Sequence, residues 1–155
     1  MDLLSVVLAC SPLVDPATTW RVIAVESSGH PYAIHDNTDG KSYDAANDAE
    51  AIRLATTLIR ARHRVDLGLM QINYDTWLRP TQFSLEKTFD PCTNIRLGTT
   101  ILSAIYARAL RRSTTESEAL WRALSVYNSG SESRSLGYAE QVLNPRAPHH
   151  PRRGF

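Results

Sequence analysis

The chain has 155 residues and a mass of 17.3 kDa, with 43% hydrophobic and 21% charged residues, which fits one globular domain with a buried core. Seventeen Lys and Arg against sixteen Asp and Glu leave a formal charge of +1, which argues against a dedicated nucleic-acid binder. The opening apolar run is broken by Ser11, Pro12 and Asp15, well short of a membrane span, so no transmembrane segment is expected and the folded part should be soluble.

Met1 to Ala9 lacks the basic start of a secretory signal, so no signal peptide is evident. Leu8-Ala9-Cys10 is similar to a lipoprotein cleavage site, but without positive charge ahead of it a first helix is the preferred reading. Leu4, Val7 and Leu8 share its apolar face, and it stops before Pro12. Asp15-Pro16 supplies an N-cap and a first-turn proline for a second helix with Trp20, Ile23 and Ala24 on one face, ended by Gly29 and Pro31. From Pro31 to Asp44 the chain is polar and turn-rich, suited to a short hairpin or an extended surface loop. A third helix is expected from Ala46 to His63, its apolar stripe Ile52, Ala55, Leu58 and Ile59, with Arg53, Arg60 and Arg62 on the wet side.

Leu67 to Ile72 is an apolar run broken by Gly68, after which Asn73 caps a short helix with Tyr74, Trp77 and Leu78 ahead of Pro80. Thr81 to Thr88 reads as loop. Asp90-Pro91 opens the longest helix, in which Ile95, Gly98, Ile101, Leu102, Ile105, Tyr106 and Leu110 keep the helical period. Further helices are expected from Glu116 to Asn128, stopped by Ser129-Gly130, and from Gly137 to Leu143. The fold class is mainly α: a single domain over residues 1–144 with at most one small strand pair, followed by a tail, 145–155, rich in Pro, Arg and His and expected to be disordered. That tail holds Arg146, Arg152 and Arg153 and no acid, so residues 1–144 carry a formal −2. Cys10, Cys92 and the scattered histidines lack the spacing of a zinc site, and neither a metal nor another cofactor is expected.

Glu26 ends the apolar run Val22-Ile23-Ala24-Val25. A carboxyl group held in apolar surroundings stays protonated to higher pH and can act as a general acid, though the position also fits a surface glutamate in a last helical turn. Three segments occur in order along the chain: Glu26-Ser27-Ser28-Gly29, Gly68-Leu69-Met70-Gln71-Ile72 and Val126-Tyr127-Asn128. Around them stand Ala9-Cys10-Ser11-Pro12, Pro31-Tyr32-Ala33-Ile34, Val65-Asp66 and Phe89-Asp90-Pro91-Cys92-Thr93-Asn94-Ile95-Arg96. This ordered set resembles the lytic transglycosylases of the lysozyme-like superfamily, in particular the specialised enzymes of type IV secretion and conjugation systems.

The resemblance implies a lysozyme-like fold around a saccharide cleft and makes Glu26 the catalytic acid and base. Glu26 would protonate the β-1,4 glycosidic oxygen between N-acetylmuramic acid and N-acetylglucosamine, then accept the proton of the muramic 6-hydroxyl as that oxygen closes a 1,6-anhydro ring. Ser27, Gly68, Leu69, Met70, Gln71, Tyr127, Asn128 and Tyr138 become candidate substrate-binding residues. Gln71 would offer its amide to the sugar, Asn128 would bind the sugar, and Tyr127 and Tyr138 would stand near the acid. Core packing competes with these roles for Leu69, Met70 and Ile72, and helix capping for Ser27. The relatives' cysteines imply a Cys10–Cys92 disulfide and an oxidising periplasm, against which stands a pair of buried thiols.

The implied partners are peptidoglycan strands and components of a secretion or conjugation machine, with no nucleic acid. A hydrolytic muramidase like goose-type lysozyme shares the glutamate motif, and Asp36, Asp39, Asp44 and Asp66 are open candidates for the second carboxylate it would need. A non-catalytic wall-binding scaffold is the rival from another class. Trp20, Trp77 and Trp121 read as core residues, and His30, His35 and His63 as surface residues without partners.

Overall fold

Short polar side chains fix where the helices start. The side chains of Asp2, Asp15, Asn47, Asn73, Ser84, Asp90 and Thr115 each accept a hydrogen bond from an N–H of the turn that follows them. In the computed structural model, which describes residues 2–144, these caps open α1 (Leu3–Cys10), α2 (Pro16–Ser27), α3 (Asp48–Arg60), a π-helical turn (Tyr74–Leu78), α5 (Leu85–Thr88), α6 (Pro91–Leu110) and α7 (Glu116–Ser129). Helices α4 (Arg79–Thr81) and α8 (Leu136–Leu143) begin without such a bond. The expected tail, 145–155, lies outside the described residues.

The long helix α6 packs against α1, α5 and α7; α8 joins α7 to α2 and so closes the helical layer. Among the described residues the strands β1 (Ala33–Asp36), β2 (Lys41–Asp44), β3 (Val65–Leu67) and β4 (Ile72–Asn73) form one antiparallel sheet in the order β2-β1-β3-β4. The mainly α class is as expected, but the sheet is larger than the single hairpin: Val65–Leu67 pairs with β1, and the chain turns back through Gly68 to Gln71 to add β4.

Several local expectations are corrected. Helix α1 buries Val7 and Cys10 and partly buries Leu3 and Val6, while Leu4 and Leu8 are exposed; nearly every residue there is apolar, so periodicity had no contrast to read. Helix α2 buries Thr19, Val22, Ile23 and Glu26, a true i, i+3, i+4, i+7 face, which leaves Trp20 and Ala24 outside. The segment read as loop contains α5, capped by Ser84. Pro80 sits in the first turn of α4, where no N–H is needed, and so follows the π-helical turn without ending the helical path.

Two devices brace the framework. Cys10 and Cys92 form a disulfide that joins the end of α1 to the start of α6. Asp36 is fully buried, yet its carboxylate accepts from His63 Nδ1 at 2.7 Å and from the N–H groups of Thr38 and Asp39. Burial alone would raise its pKa, but the His63, Thr38 and Asp39 hydrogen bonds together outweigh it and hold the group below its ordinary 3.8. His63 is therefore a structural partner of the hairpin and not the solitary surface residue expected.

The end of α3 carries a strained residue. The N–H of His63 bonds Leu58 O and that of Arg62 bonds Ile59 O, a Schellman closure in which Arg62 occupies the left-handed position at φ 65°. Glycine is usual there, and a side chain raises the energy by about 1 kcal/mol.

Two outcomes are expected. Intact mass should rise by two hydrogens on reduction of the unfolded chain, and replacing both cysteines by serine should lower the urea-unfolding free energy by about 2–4 kcal/mol. Because the folded pKa of Asp36 lies below its unfolded value, its contribution is complete above pH 3.8 and fades as pH falls through the folded value. The stability gap between the native protein and Asp36→Asn, followed by thermal melts, should therefore narrow below about pH 4.

Candidate active site

Periodicity along α2 turns Glu26 inward at the last turn of the helix, where it is 8% exposed. The helix stops immediately afterwards, with Ser28 at φ 54° and Gly29 at φ 82°. Glu26 faces a cleft of about 320 Å³ to which both layers contribute. The sheet supplies His35, Asp66 and Asn73, which are register neighbours across β1, β3 and β4, and so point to one face. The next row, Ile34, Leu67 and Ile72, is buried. From α6 come Ile101, Ile105 and Arg108, at i, i+4 and i+7, and from α7 come Val126, Tyr127 and Asn128.

Between the layers lies the turn Leu67 to Gln71, and its backbone is held with unusual completeness. Four successive carbonyl oxygens each accept a side-chain donor: Leu67 O from Asn94 Nδ2 (3.1 Å), Gly68 O from Gln71 Nε2 (2.9 Å), Leu69 O from Ser27 Oγ (2.8 Å) and Met70 O from the Tyr127 hydroxyl (2.8 Å). Asn94, 1% exposed, also donates to Thr88 O and accepts from the Met70 N–H at 2.8 Å. Gly68 has φ 78°, and a Cβ there would collide with the Asn94 amide. Met70 is fully buried against Gly98 of α6, where a Cβ would come within 2.5 Å of its sulfur. Both glycines are thus required by close approach.

The candidates read from the sequence therefore fall into two groups. Glu26, Gln71, Tyr127 and Asn128 line the cleft, and the half-buried side-chain amide of Asn128 has no hydrogen-bond partner among the described residues. Gln71 gives both amide hydrogens to carbonyls, those of Gly68 and Ala33. Ser27, Gly68, Leu69 and Met70 build the turn and are not among the cleft-lining residues, and buried Tyr138 is not either.

The open question of a second carboxylate narrows. Asp36 is committed to His63, and Asp39 and Asp44 are exposed outside the cleft. Asp66 is in the cleft, 8% exposed, its two oxygens accepting from Asn37 Nδ2 (2.9 Å) and Asn73 Nδ2 (2.8 Å). Asp75 also lines it and pairs with Arg79 at 3.1 Å. The ligand atoms of Asp36, Asp39 and His63 lie within 4.8 Å of one another, a grouping explained by the bracing of the hairpin.

His35, expected on the surface without a partner, lines the cleft with its Nδ1 2.9 Å from Ser42 Oγ. Trp77 is partly buried against the core, as expected, and in addition lines the cleft. Trp121 packs against the core as expected. Sequence reading missed Asn94 although a signal was present, since it lies one turn before Gly98 on the apolar stripe of α6, where a polar residue calls for a buried partner.

With the site in place, the chain can be set beside known proteins. The transglycosylase SLT domain model matches residues 7–141. The chain belongs to the transglycosylase SLT domain family. Among curated proteins, "Protein virB1" of Agrobacterium fabrum (strain C58) is 33% identical over 135 residues, covering 86% of this chain and 54% of the relative. The "Type IV secretion system protein virB1" of Brucella abortus biovar 1 (strain 9-941) is 33% identical over 122 residues, covering 78% and 51%. The chain thus spans about half the length of the curated relatives it matches. No solved structure matches it. The matched SLT region takes in every cleft residue named above and both cysteines.

Removing the Asn94 amide should expose its effect directly. Asn94→Leu leaves the Met70 N–H and the Leu67 and Thr88 carbonyls without their partner, so urea unfolding should register a loss of at least about 2 kcal/mol.

Proposed function

We propose that this protein is a peptidoglycan lytic transglycosylase in which Glu26 is general acid and then general base. The observation that carries the reading is a carboxyl group 8% exposed, on the inward face of α2, opening into a cleft bordered by sugar-compatible polar groups. A carboxyl group at that position can give its proton to the glycosidic oxygen. Once that proton is transferred, the carboxylate can take the proton of the muramic 6-hydroxyl as its oxygen attacks the anomeric carbon. One C–O bond breaks, one forms, and no water enters.

Asn128 supplies an amide for an N-acetyl or hydroxyl group, and Trp77 an apolar face for a sugar ring. Residues 1–144 act as the catalytic domain in this reading. Setting follows from the relatives: two that match well are named for type IV secretion or as virB1, so the activity would open the wall locally for such a machine. A Cys10–Cys92 disulfide fits work in an oxidising periplasm.

The hydrolytic reading keeps one specific support, Asp66 in the same cleft, and product chemistry separates the two. Purified sacculi treated with the protein should yield 1,6-anhydro-muropeptides by mass spectrometry, and Glu26→Gln should lower their release by at least about 100-fold while the thermal melt stays close to native. Reducing ends in place of anhydro ends would assign a hydrolase. Full activity of Glu26→Gln would remove Glu26 from the chemistry.

A further inference from the structure

A second basin opens beside the cleft, and its chemistry is different. Its polar rim is formed by Arg60, Arg62, His63, Tyr74, Asp75 and Arg79. Asp75 lines both the basin and the cleft, so the π-helical turn that carries Tyr74, Asp75 and Trp77 is their shared border.

The charges in the basin do not cancel. Asp75 answers Arg79, and His63 is turned onto the buried Asp36. Arg60 and Arg62 are exposed and have no ion-pair partner among the described residues. Residues 1–144 carry a formal −2, so this local excess runs against the balance around it. The backbone adds an independent observation. Arg62 holds the left-handed position of the Schellman closure, where glycine would be unstrained, and the strained residue supplies a guanidinium to this rim.

From these features we infer that the basin binds carboxylate groups of the peptide stems borne by peptidoglycan strands, so that the protein prefers peptide-substituted glycan to bare glycan. The inference rests on the proposed saccharide cleft. Guanidinium groups match carboxylates in charge and in paired hydrogen-bond geometry, and stems branch from the same muramic residues that the cleft would hold. Two exposed Arg–carboxylate contacts of this kind shift affinity modestly, by about 3- to 10-fold, and the shift weakens as salt screens it.

The test uses two glycan strands of equal length, one with its stems and one stripped of them by an amidase. Binding is measured with Glu26→Gln protein, and KM and kcat with active protein. Adding Arg60→Gln with Arg62→Asn, the latter chosen because Asn tolerates the left-handed backbone, should raise Kd and KM for stem-bearing strands by about 3- to 10-fold. It should leave kcat and all values for stripped strands unchanged. The native preference should fade on raising salt from about 0.05 to 0.5 M. A control with the same charge loss, Arg96→Gln with Arg111→Gln on and just after α6, should retain the preference. Equal weakening on both strands, no weakening, or the same loss in the control would overturn the inference, as would tighter retention on a single-stranded oligonucleotide than on stem-bearing strands. Preferential binding without cleavage of either strand would instead fail the proposed activity while leaving the basin's selectivity in place.

Discussion

The buried amide of Asn94 is the constraint on which the rest of the site depends. It joins α6 to the turn between β3 and β4 through one donated and one accepted bond, and to the end of α5 through a second donated bond, at 1% exposure, where each missing partner would leave a backbone group stranded away from water. Its demand for space explains Gly68, and the turn it fixes brings Met70 onto Gly98. Ser27 from α2 and Tyr127 from α7 then bond the carbonyls that follow. Helices distant in sequence thus converge on one short stretch of main chain. Glu26 is the residue before Ser27, so the position of the acid follows from the same convergence.

The sheet contributes through alternation. One row of side chains, Ile34, Leu67 and Ile72, is buried, and the adjacent row, His35, Asp66 and Asn73, faces the cleft. Asp66 is held by two asparagine amides and so enters the cleft as a fixed acceptor, whereas Glu26 rises from the end of a helix. Two carboxyl groups thus stand in one cleft on different supports.

How much of this was legible in the sequence depends on how local the cause was. Helix starts such as Asp15-Pro16 and Asp90-Pro91 are set by caps within three residues, and the structure begins α2 and α6 at those prolines. The carboxylate closing an apolar run at Glu26 left an inward and a surface position both open, and the buried i, i+3, i+4, i+7 face of α2 decides for the inward one. The buried face of α1 was not, because a segment almost wholly apolar carries no periodic contrast. Strands β3 and β4 are too short to show alternation and owe their form to pairing with β1. The Asp36–His63 bond spans 27 positions, and Ser27 meets Leu69 O across 42, so neither partner announces the other in the chain. The motif residues were recognised as a set, but whether each touches the cleft or the turn depends on that long-range geometry.

The four saturated carbonyls divide the protein into what is rigidly committed and what is open to change. Ser27, Asn94 and Tyr127 each hold up a separate bond in one network, so a substitution at any of them is felt by the others. Tyr127 and Gln71 line the cleft as well as holding the turn, whereas the side chains of Trp77, Arg108 and Asn128 line it without a bond to the turn. A lineage can therefore retune what the cleft accepts by altering Trp77, Arg108 or Asn128 while the chassis stays as it is, and this separation gives a small domain room to specialise.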